Sequence, residues 1–215
     1  MSIGGLGLHG ITISPRFIFG VNGDLKNNLH LIDEHKLLYT AGHNAVVYSN
    51  ESLNASDSTQ YFLPGLEKTD KITAVGISKS RKYLAICEKT ERALCTIYDV
   101  HSQKKRKTIP DPDIGFIGFE DYESMEFLSV AFNPKHENKG IITLCASPDW
   151  LLLLWDWDKI KVTAKINIGL QGIPPQVTSE IEGEEPDFNF QISYNPHEPE
   201  YVLVTGPDTF KYYQL

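Results

Sequence analysis

"DWLLLLWDWDK" occupies residues 149–159, and how it folds decides the architecture of the whole chain. Four leucines, Leu151 to Leu154, stand among Trp150, Trp155 and Trp157, with Asp149 on one side and Asp156 on the other. A membrane-spanning helix needs about 18–20 consecutive apolar residues, far more than this run offers. A buried helix needs at least ~10–12 residues, so it also fits poorly. The run has the length of a strand buried on both faces, and Ser147-Pro148-Asp149 before it reads as a turn. Residues 150–157 are therefore expected to form a strand.

The same order of features recurs along the chain. "ITAVGISKSRKYLAICEKTERALCTIYDV" begins at Ile72, "FLSVAFNPKHENKGIITLCASPDWLLLLWDW" at Phe127 and "NFQISYNPHEPEYVLVTGPDTFKYYQL" at Asn189. Each opens with an alternating strand that ends in a small polar turn, at Ile77-Ser78, Phe132-Asn133-Pro134 and Tyr194-Asn195-Pro196. A second apolar strand is expected over residues 83–87, 141–145 and 201–205. A third follows a short loop, over residues 95–100, 151–157 and 210–214. A fainter copy is "LHLIDEHKLLYTAGHNAVVYS", residues 29–49. Self-similarity of this kind marks a repeat architecture, in which each unit buries its faces against its neighbours.

The anchor residues Ile77, Phe132 and Tyr194 lie 55 and 62 residues apart, longer than the ~40–45 of a WD40 blade. The excess sits in two inserts, "DPDIGFIGFEDYESME" (residues 111–126) and "QGIPPQVTSEIEGEEPD" (residues 171–187). Both are rich in Gly, Pro or acidic residues and are expected as loops between repeats. Partner-binding loops are the alternative, since scaffolds often place contact residues there. Trp155-Asp156 stands where WD repeats carry that pair, and Tyr98-Asp99 is a conservative version one repeat earlier. Gly42-His43 stands elsewhere, in a second-to-third-strand loop.

The expected fold is all-β, a partial WD40-like β-propeller with about four blades of an incomplete ring. Approximate blades are residues 10–60, 61–110, 127–170 and 188–215. Most propellers have more blades, and the last copy here carries three strands, so a partial product of a longer chain is expected. "GITISPRFIFGV", residues 10–21, suits a ring-closing strand. Open apolar faces and a strand edge call for the remainder of the propeller, from the same chain or another, to cover them.

The net charge of −8 over 215 residues argues against broad binding to nucleic acid or an anionic membrane, which needs a basic face. "MSIGGLGLHG" lacks the basic and long apolar regions of a secretory signal. Cys87, Cys95 and Cys145 show no CxxC pairing, and their odd number fits reduced thiols in the cytosol.

Gly5-Leu6-Gly7-Leu8-His9-Gly10 matches GxGxxG, but a phosphate site needs a strand before it and a helix after it. A flexible entry to the first strand is expected instead. Lys104-Lys105-Arg106-Lys107 is the one dense basic cluster. It is expected as a solvated surface turn leaving a blade. As a partner-binding patch it would attract an acidic surface by screened charge, with Lys79, Arg81 and Lys82 as possible extensions. None of His9, His30, His35, His43, His101, His136 and His197 has metal spacing. No GxSxG, HExxH, calcium-loop or phosphate-loop motif appears. Asp99 and Asp156 are expected to hold the turns beyond their strands by accepting backbone hydrogen bonds. Among the three tryptophans, at least one is expected in the core and one exposed as an interface anchor. No catalytic residue, cofactor or metal is expected. A propeller enzyme would need ionisable groups converging at the ring's mouth, and the sequence shows no such cluster.

"FLPGLEKTDKITAVGISKSRKYLAICEKTERALCTIYDVHSQKKRKTI", residues 62–109, resembles the N-terminal WD repeats of the cilia- and flagella-associated protein 57 family. The likeness is carried by Phe62-Leu63-Pro64-Gly65, Glu67-Lys68, Arg81-Lys82-Tyr83-Leu84-Ala85, Thr96-Ile97-Tyr98-Asp99 and Lys105-Arg106-Lys107. "GLGLHGITISPRF" and "VTGPDTFKYYQL" are similar to that family's first blades. The resemblance implies a non-enzymatic scaffold of the motile ciliary axoneme, within the cytoskeleton of the cytoplasm. It implies docking on the doublet microtubule near the inner dynein arms and support for regulation of ciliary beating. The implied partners are inner dynein arm, tether or radial spoke components and tubulin, with no nucleic acid and no membrane. Family members carry tandem propellers and then a long coiled coil; these 215 residues include neither a second propeller nor a coiled coil. A WD-repeat interaction module of a non-ciliary cytosolic complex is the alternative.

Overall fold

The computed structural model describes residues 16–50, 59–66, 69–111, 122–169, 190–207 and 209–215. The GxGxxG stretch, the first part of the expected closing strand and most of both inserts lie outside the described residues. Among the described residues there are fifteen β-strands and no helix. They pair into four antiparallel sheets. The first sheet holds β1 (Leu29–Leu31), β2 (Lys36–Ala41), β3 (Asn44–Ser49) and β4 (Thr59–Pro64), in that spatial order. The second holds β5 (Ile72–Ile77), β6 (Tyr83–Glu88), β7 (Leu94–Asp99) and β8 (Lys104–Ile109). The third holds β9 (Phe127–Phe132), β10 (Gly140–Cys145), β11 (Leu151–Asp156) and β12 (Lys161–Asn167). The fourth holds β13 (Gln191–Tyr194), β14 (Tyr201–Gly206) and β15 (Thr209–Gln214). Each sheet is a meander of neighbouring strands, the pattern of blades in a partial WD40-like propeller.

Contacts divide the chain into two compact units, Met1–Ile72 and Thr73–Leu215. In the first unit, Leu38, Ala45 and Val46 are fully buried. The β2–β3 turn is Gly42-His43, with Gly42 at φ +57°, a conformation that glycine adopts without a Cβ penalty. The His43 carbonyl accepts the Gly65 amide at 3.0 Å, and its Nε2 lies 2.6 Å from Thr69 Oγ1. The segment expected as a closing strand forms no strand over residues 16–21. Instead the Gln60 side chain acts as its partner: Ile18 N donates to Gln60 Oε1 at 2.7 Å, and Gln60 Nε2 donates to the Ile18 carbonyl at 3.2 Å.

In the second unit the sheets pack face against face. The opening sequence shows how. Leu153 and Trp155, with Trp157 just beyond β11, point into a cluster with Ala85, Cys87, Cys95 and Ile97 of the second sheet. Leu152 points the other way, with Ile142 and Leu144, towards Ile192, Val202 and Val204 of the fourth sheet. Strand periodicity of two puts alternate leucines on opposite faces, and both faces are covered. Each such side chain contributes about 1.5–3 kcal/mol on full burial.

All three tryptophans are buried, so the expected exposed anchor is not among them. Trp150 precedes β11 with φ +50°, and its ring lies on the Leu152 side of the strand against Phe190, ring centroids 5.4 Å apart. Trp157 meets Tyr83 edge-on at 5.2 Å and donates from Nε1 to the Glu137 carbonyl at 3.0 Å. Trp155 Nε1 donates to Thr143 Oγ1 at 3.0 Å inside the core.

That buried pair yields a testable cost. Trp155→Phe removes the donor, and leaving a buried hydroxyl short of its partner costs about 1–3 kcal/mol. Thr143→Val in the same chain is expected to recover part of that loss, because no buried hydroxyl then remains. Urea unfolding of both single variants and the double variant measures the coupling; strictly additive losses would contradict it.

A second prediction concerns pH. His30 lies in β1, and its Nε2 is buried with no hydrogen-bond partner. Burial pushes its pKa below the ordinary histidine value, against a smaller upward pull from a backbone hydrogen bond with Asn27. The unfolded chain then binds the proton more readily than the folded one, so folding stability falls as pH drops through about 6.5. Denaturant midpoints measured at pH 7.5 and 5.5 should show this fall, and His30→Gln should shrink it. An unchanged pH slope in the variant would contradict the assignment.

Candidate interaction surfaces

β8 carries the basic cluster, so Lys104 to Lys107 form a strand, where a solvated turn was expected. The reason is the hairpin that precedes it. Asp99 Oδ1 accepts the Ser102 amide at 2.9 Å, and Gln103 takes φ +57°, which reverses the chain onto β7. The third sheet repeats this turn: Asp156 Oδ1 accepts the Lys159 amide at 3.3 Å, Ile160 takes φ +55°, and Lys159 Nζ lies 3.5 Å from Asp156 Oδ2.

β8 pairs with β7 alone and is the outer edge of its sheet. Its register sets Lys104 opposite Asp99, Lys105 opposite Tyr98 and Lys107 opposite Ile97. Arg106 has no opposite residue and forms a bulge. β12 has the same irregularity at Thr163, opposite the step from Leu154 to Trp155, and carries Lys161 and Lys165 on its exposed positions. Lysines and bulges on edge strands discourage pairing with stray strands. They also set exposed cations along both strands.

Lys104, Lys105 and Arg106 are exposed and Lys107 is half-buried, while Thr108 and Ile109 turn into the core. The Asp99 carboxyl is held below the usual carboxylate range, chiefly by the hydrogen bond from the Ser102 amide. Burial opposes this, and the charges of Arg106 and Lys82 reinforce it. The Lys82 carbonyl accepts the Val100 amide at 2.8 Å, just beyond β7. Lys79 and Arg81 sit in the β5–β6 turn. Tyr98 is buried, and its phenol is pushed up to about 12, mainly by that burial.

A polar junction absent from the sequence reading lies beside Cys145. Asp149 Oδ2 accepts the amides of Glu123 and Ser124, both at 2.8 Å, and the Ser124 hydroxyl at 2.7 Å. This ties the end of the first insert to the turn before β11. Ser147-Pro148-Asp149 signalled the turn; nothing local to residues 123–124 signalled their role. Among the described residues, no group of three or more His, Cys, Asp or Glu is placed to hold a metal. The first unit has a cavity of about 600 Å³, lined by residues 18–24 with Ala41, Gly42 and Asn44, open to solvent and without a histidine or lysine.

Cys87 and Cys95 face one another across the β6–β7 pair, and all three thiols are free and buried. Burial pushes the Cys87 and Cys145 thiols well above their ordinary range. A thiol reagent acts on the thiolate and needs access. The native chain should therefore leave all three cysteines unmodified at neutral pH, and the chain in denaturant should expose three. Rapid labelling of the native protein, read by intact mass, would contradict this packing.

No family model matches the chain. Among curated proteins it is similar to cilia- and flagella-associated protein 57 of Mus musculus, with 29% identity over 197 residues, 90% of this chain and 14% of that protein. Cilia- and flagella-associated protein 57 C of Tetrahymena thermophila is 27% identical over 204 residues, 94% of this chain and 14% of that protein. Cilia- and flagella-associated protein 44 of Mus musculus is 23% identical over 197 residues, 92% of this chain and 9% of that protein. The chain thus spans at most 14% of the length of these three relatives, and its likeness to them runs through nearly all of its own length.

Proposed function

We propose that the chain is a non-enzymatic scaffold portion of the ciliary or flagellar axoneme, held in place in part by the basic strand β8. The observation that carries the reading is the likeness, over 90% of the chain, to a protein named for association with cilia and flagella. Docking is on the doublet microtubule near the inner dynein arms, where the scaffold supports regulation of beating. Partners include inner-arm, tether or radial spoke components and tubulin. Lys104, Lys105, Arg106 and Lys107 supply a dense positive strand on a chain of net charge −8, so acidic partners meet it locally against the overall charge. Exposed charge pairs are screened beyond a Debye length of about 10 Å at 0.1 M salt. Such docking survives detergent and yields to salt.

The test is fractionation of the tagged protein in a ciliated host. Retention in detergent-extracted axonemes, with release in the high-salt wash, is the expected outcome. Lys104→Glu, Lys105→Glu and Arg106→Glu together should move the protein into the detergent-soluble fraction without lowering its thermal midpoint, since these side chains are exposed. Wild-type protein found wholly in the detergent-soluble fraction would overturn the axonemal reading. Unchanged retention of the charge-reversed protein would remove β8 from it.

A further inference from the structure

Successive strands of a meander reverse direction, so alternate turns emerge at the same end of a sheet. The β5–β6 turn (residues 78–82) and the β7–β8 turn (residues 100–103) share one end of the second sheet. The β9–β10 turn (residues 133–139) and the β11–β12 turn (residues 157–160) share one end of the third. Glu137 joins the two ends into one surface. Its Oε2 accepts the Ser80 amide at 3.0 Å, and its carbonyl accepts the Trp157 indole at 3.0 Å. Trp157 meets Tyr83 across the same join, and Lys82 Nζ lies 5.2 Å from the Tyr83 ring. The Lys139 carbonyl accepts the Trp157 amide at 2.7 Å, which fixes the two turns of the third sheet together.

This joined end is basic. The second sheet brings Lys79, Lys82 and Lys104 to it, and the third brings Lys135, Lys139 and Lys161. All six are exposed. Three of the acids beside them accept backbone amides: Asp99 from Ser102, Asp156 from Lys159 and Glu137 from Ser80. Asp158 is exposed. Among the described residues the opposite end has the reverse balance, with Glu91, Glu123, Glu126 and Asp149 against Lys89 and Arg92. The fourth sheet also ends the basic surface. Its β13–β14 turn repeats the Asn-Pro opening at Asn195-Pro196, but exposed Glu200 stands at the place of Lys139 and His197 at that of Lys135.

We propose that this end of the second and third sheets is a docking platform for a short glutamate- or aspartate-rich segment of a partner protein, laid across both sheets. Charge complementarity carries the assignment, and the surrounding acids set the size of the occupant. Stacked sheets lie about 10 Å apart, a gap that about three extended residues span. A short acidic segment therefore reaches the lysines of both sheets and stays clear of Glu198 and Glu200. A nucleic acid or an anionic membrane runs on past the platform and meets a chain of net charge −8. Lysine suits such a segment, because its ammonium is a point charge on a flexible stem and asks for no fixed carboxylate geometry. Glu137 is a positioning residue: it holds the turns together, while its own charge opposes the ligand. The platform shares Lys104 with the cationic strand β8, but it stands on the turns of two sheets and does not depend on where in the cell the protein works.

The test titrates the natural full-length protein with a fluorescent oligoglutamate peptide, read by anisotropy at about 0.1 M salt, where screening still leaves close charge pairs their attraction. The wild type is expected to bind it, more weakly as salt rises, and to ignore oligoglutamine. Lys135→Glu together with Lys139→Glu should weaken binding about fivefold or more at an unaltered thermal midpoint, since both side chains are exposed. Glu137→Gln keeps an acceptor for the Ser80 amide and removes one negative charge, so binding should tighten about twofold, a gain that a purely structural role does not give. Unchanged affinity in the double variant would overturn the platform; a loss confined to Lys105→Glu with Arg106→Glu would then place the binding on β8 alone. No binding of oligoglutamate, or tighter binding of single-stranded DNA or phosphatidylserine vesicles, would overturn the choice of partner. Weakened binding in the double variant, with the wild type absent from axonemes, would support the platform and remove the axonemal reading.

Discussion

Every sheet of the second unit has two apolar faces, and neither can be left to water without cost. That constraint organises the rest. A lone four-stranded sheet with Leu152 on one side and Trp155 on the other would expose both; only stacking satisfies them. The second sheet covers one face of the third, and the fourth covers the other. Removing a methylene-sized piece from either contact is felt, because interiors are packed as densely as organic crystals. Both buried indoles facing the second sheet are paired: Trp155 with the Thr143 hydroxyl, and Trp157 with the Glu137 carbonyl.

The central strands were legible in the sequence because this constraint writes itself into composition. Strands covered on both faces become near-continuous apolar runs, as in Leu151 to Leu154 and, broken only by Thr143, Ile141 to Cys145. The outer strands were not legible. β8 begins with four cations, and nothing about Lys104-Lys105-Arg106-Lys107 distinguishes an edge strand from a solvated turn. An outer strand needs only one side to be apolar, and in β8 burial is confined to Thr108 and Ile109 at its end. The tryptophans misled for a packing reason. Period-two counting puts Trp150 on the Leu152 face and Trp155 and Trp157 on the Leu153 face, but both faces are covered, so none is left exposed. The junction of Asp149 with Ser124 spans 25 residues of sequence, beyond the reach of any local pattern.

Function was legible to a different degree. No motif in the chain announces chemistry, and among the described residues no group of three or more His, Cys, Asp or Glu is placed to hold a metal. What the chain offers is surface: a cationic edge at β8, lysines along β12, and an aromatic face on the fourth sheet, where Phe210 and Tyr212 are exposed. A propeller portion that holds other proteins by such surfaces fits both the fold and the likeness to proteins associated with cilia and flagella.

Covered faces and uncovered faces should differ in how firmly their strands hold together, since local opening follows local burial. Hydrogen exchange of the backbone amides, measured by mass spectrometry on the native chain, reads this directly. The account predicts the slowest exchange in β6 and β10, whose side chains are covered on both sides, and exchange in β15 faster by orders of magnitude. Protection of β15 equal to that of β10 would contradict the claim that face-to-face covering holds this protein together.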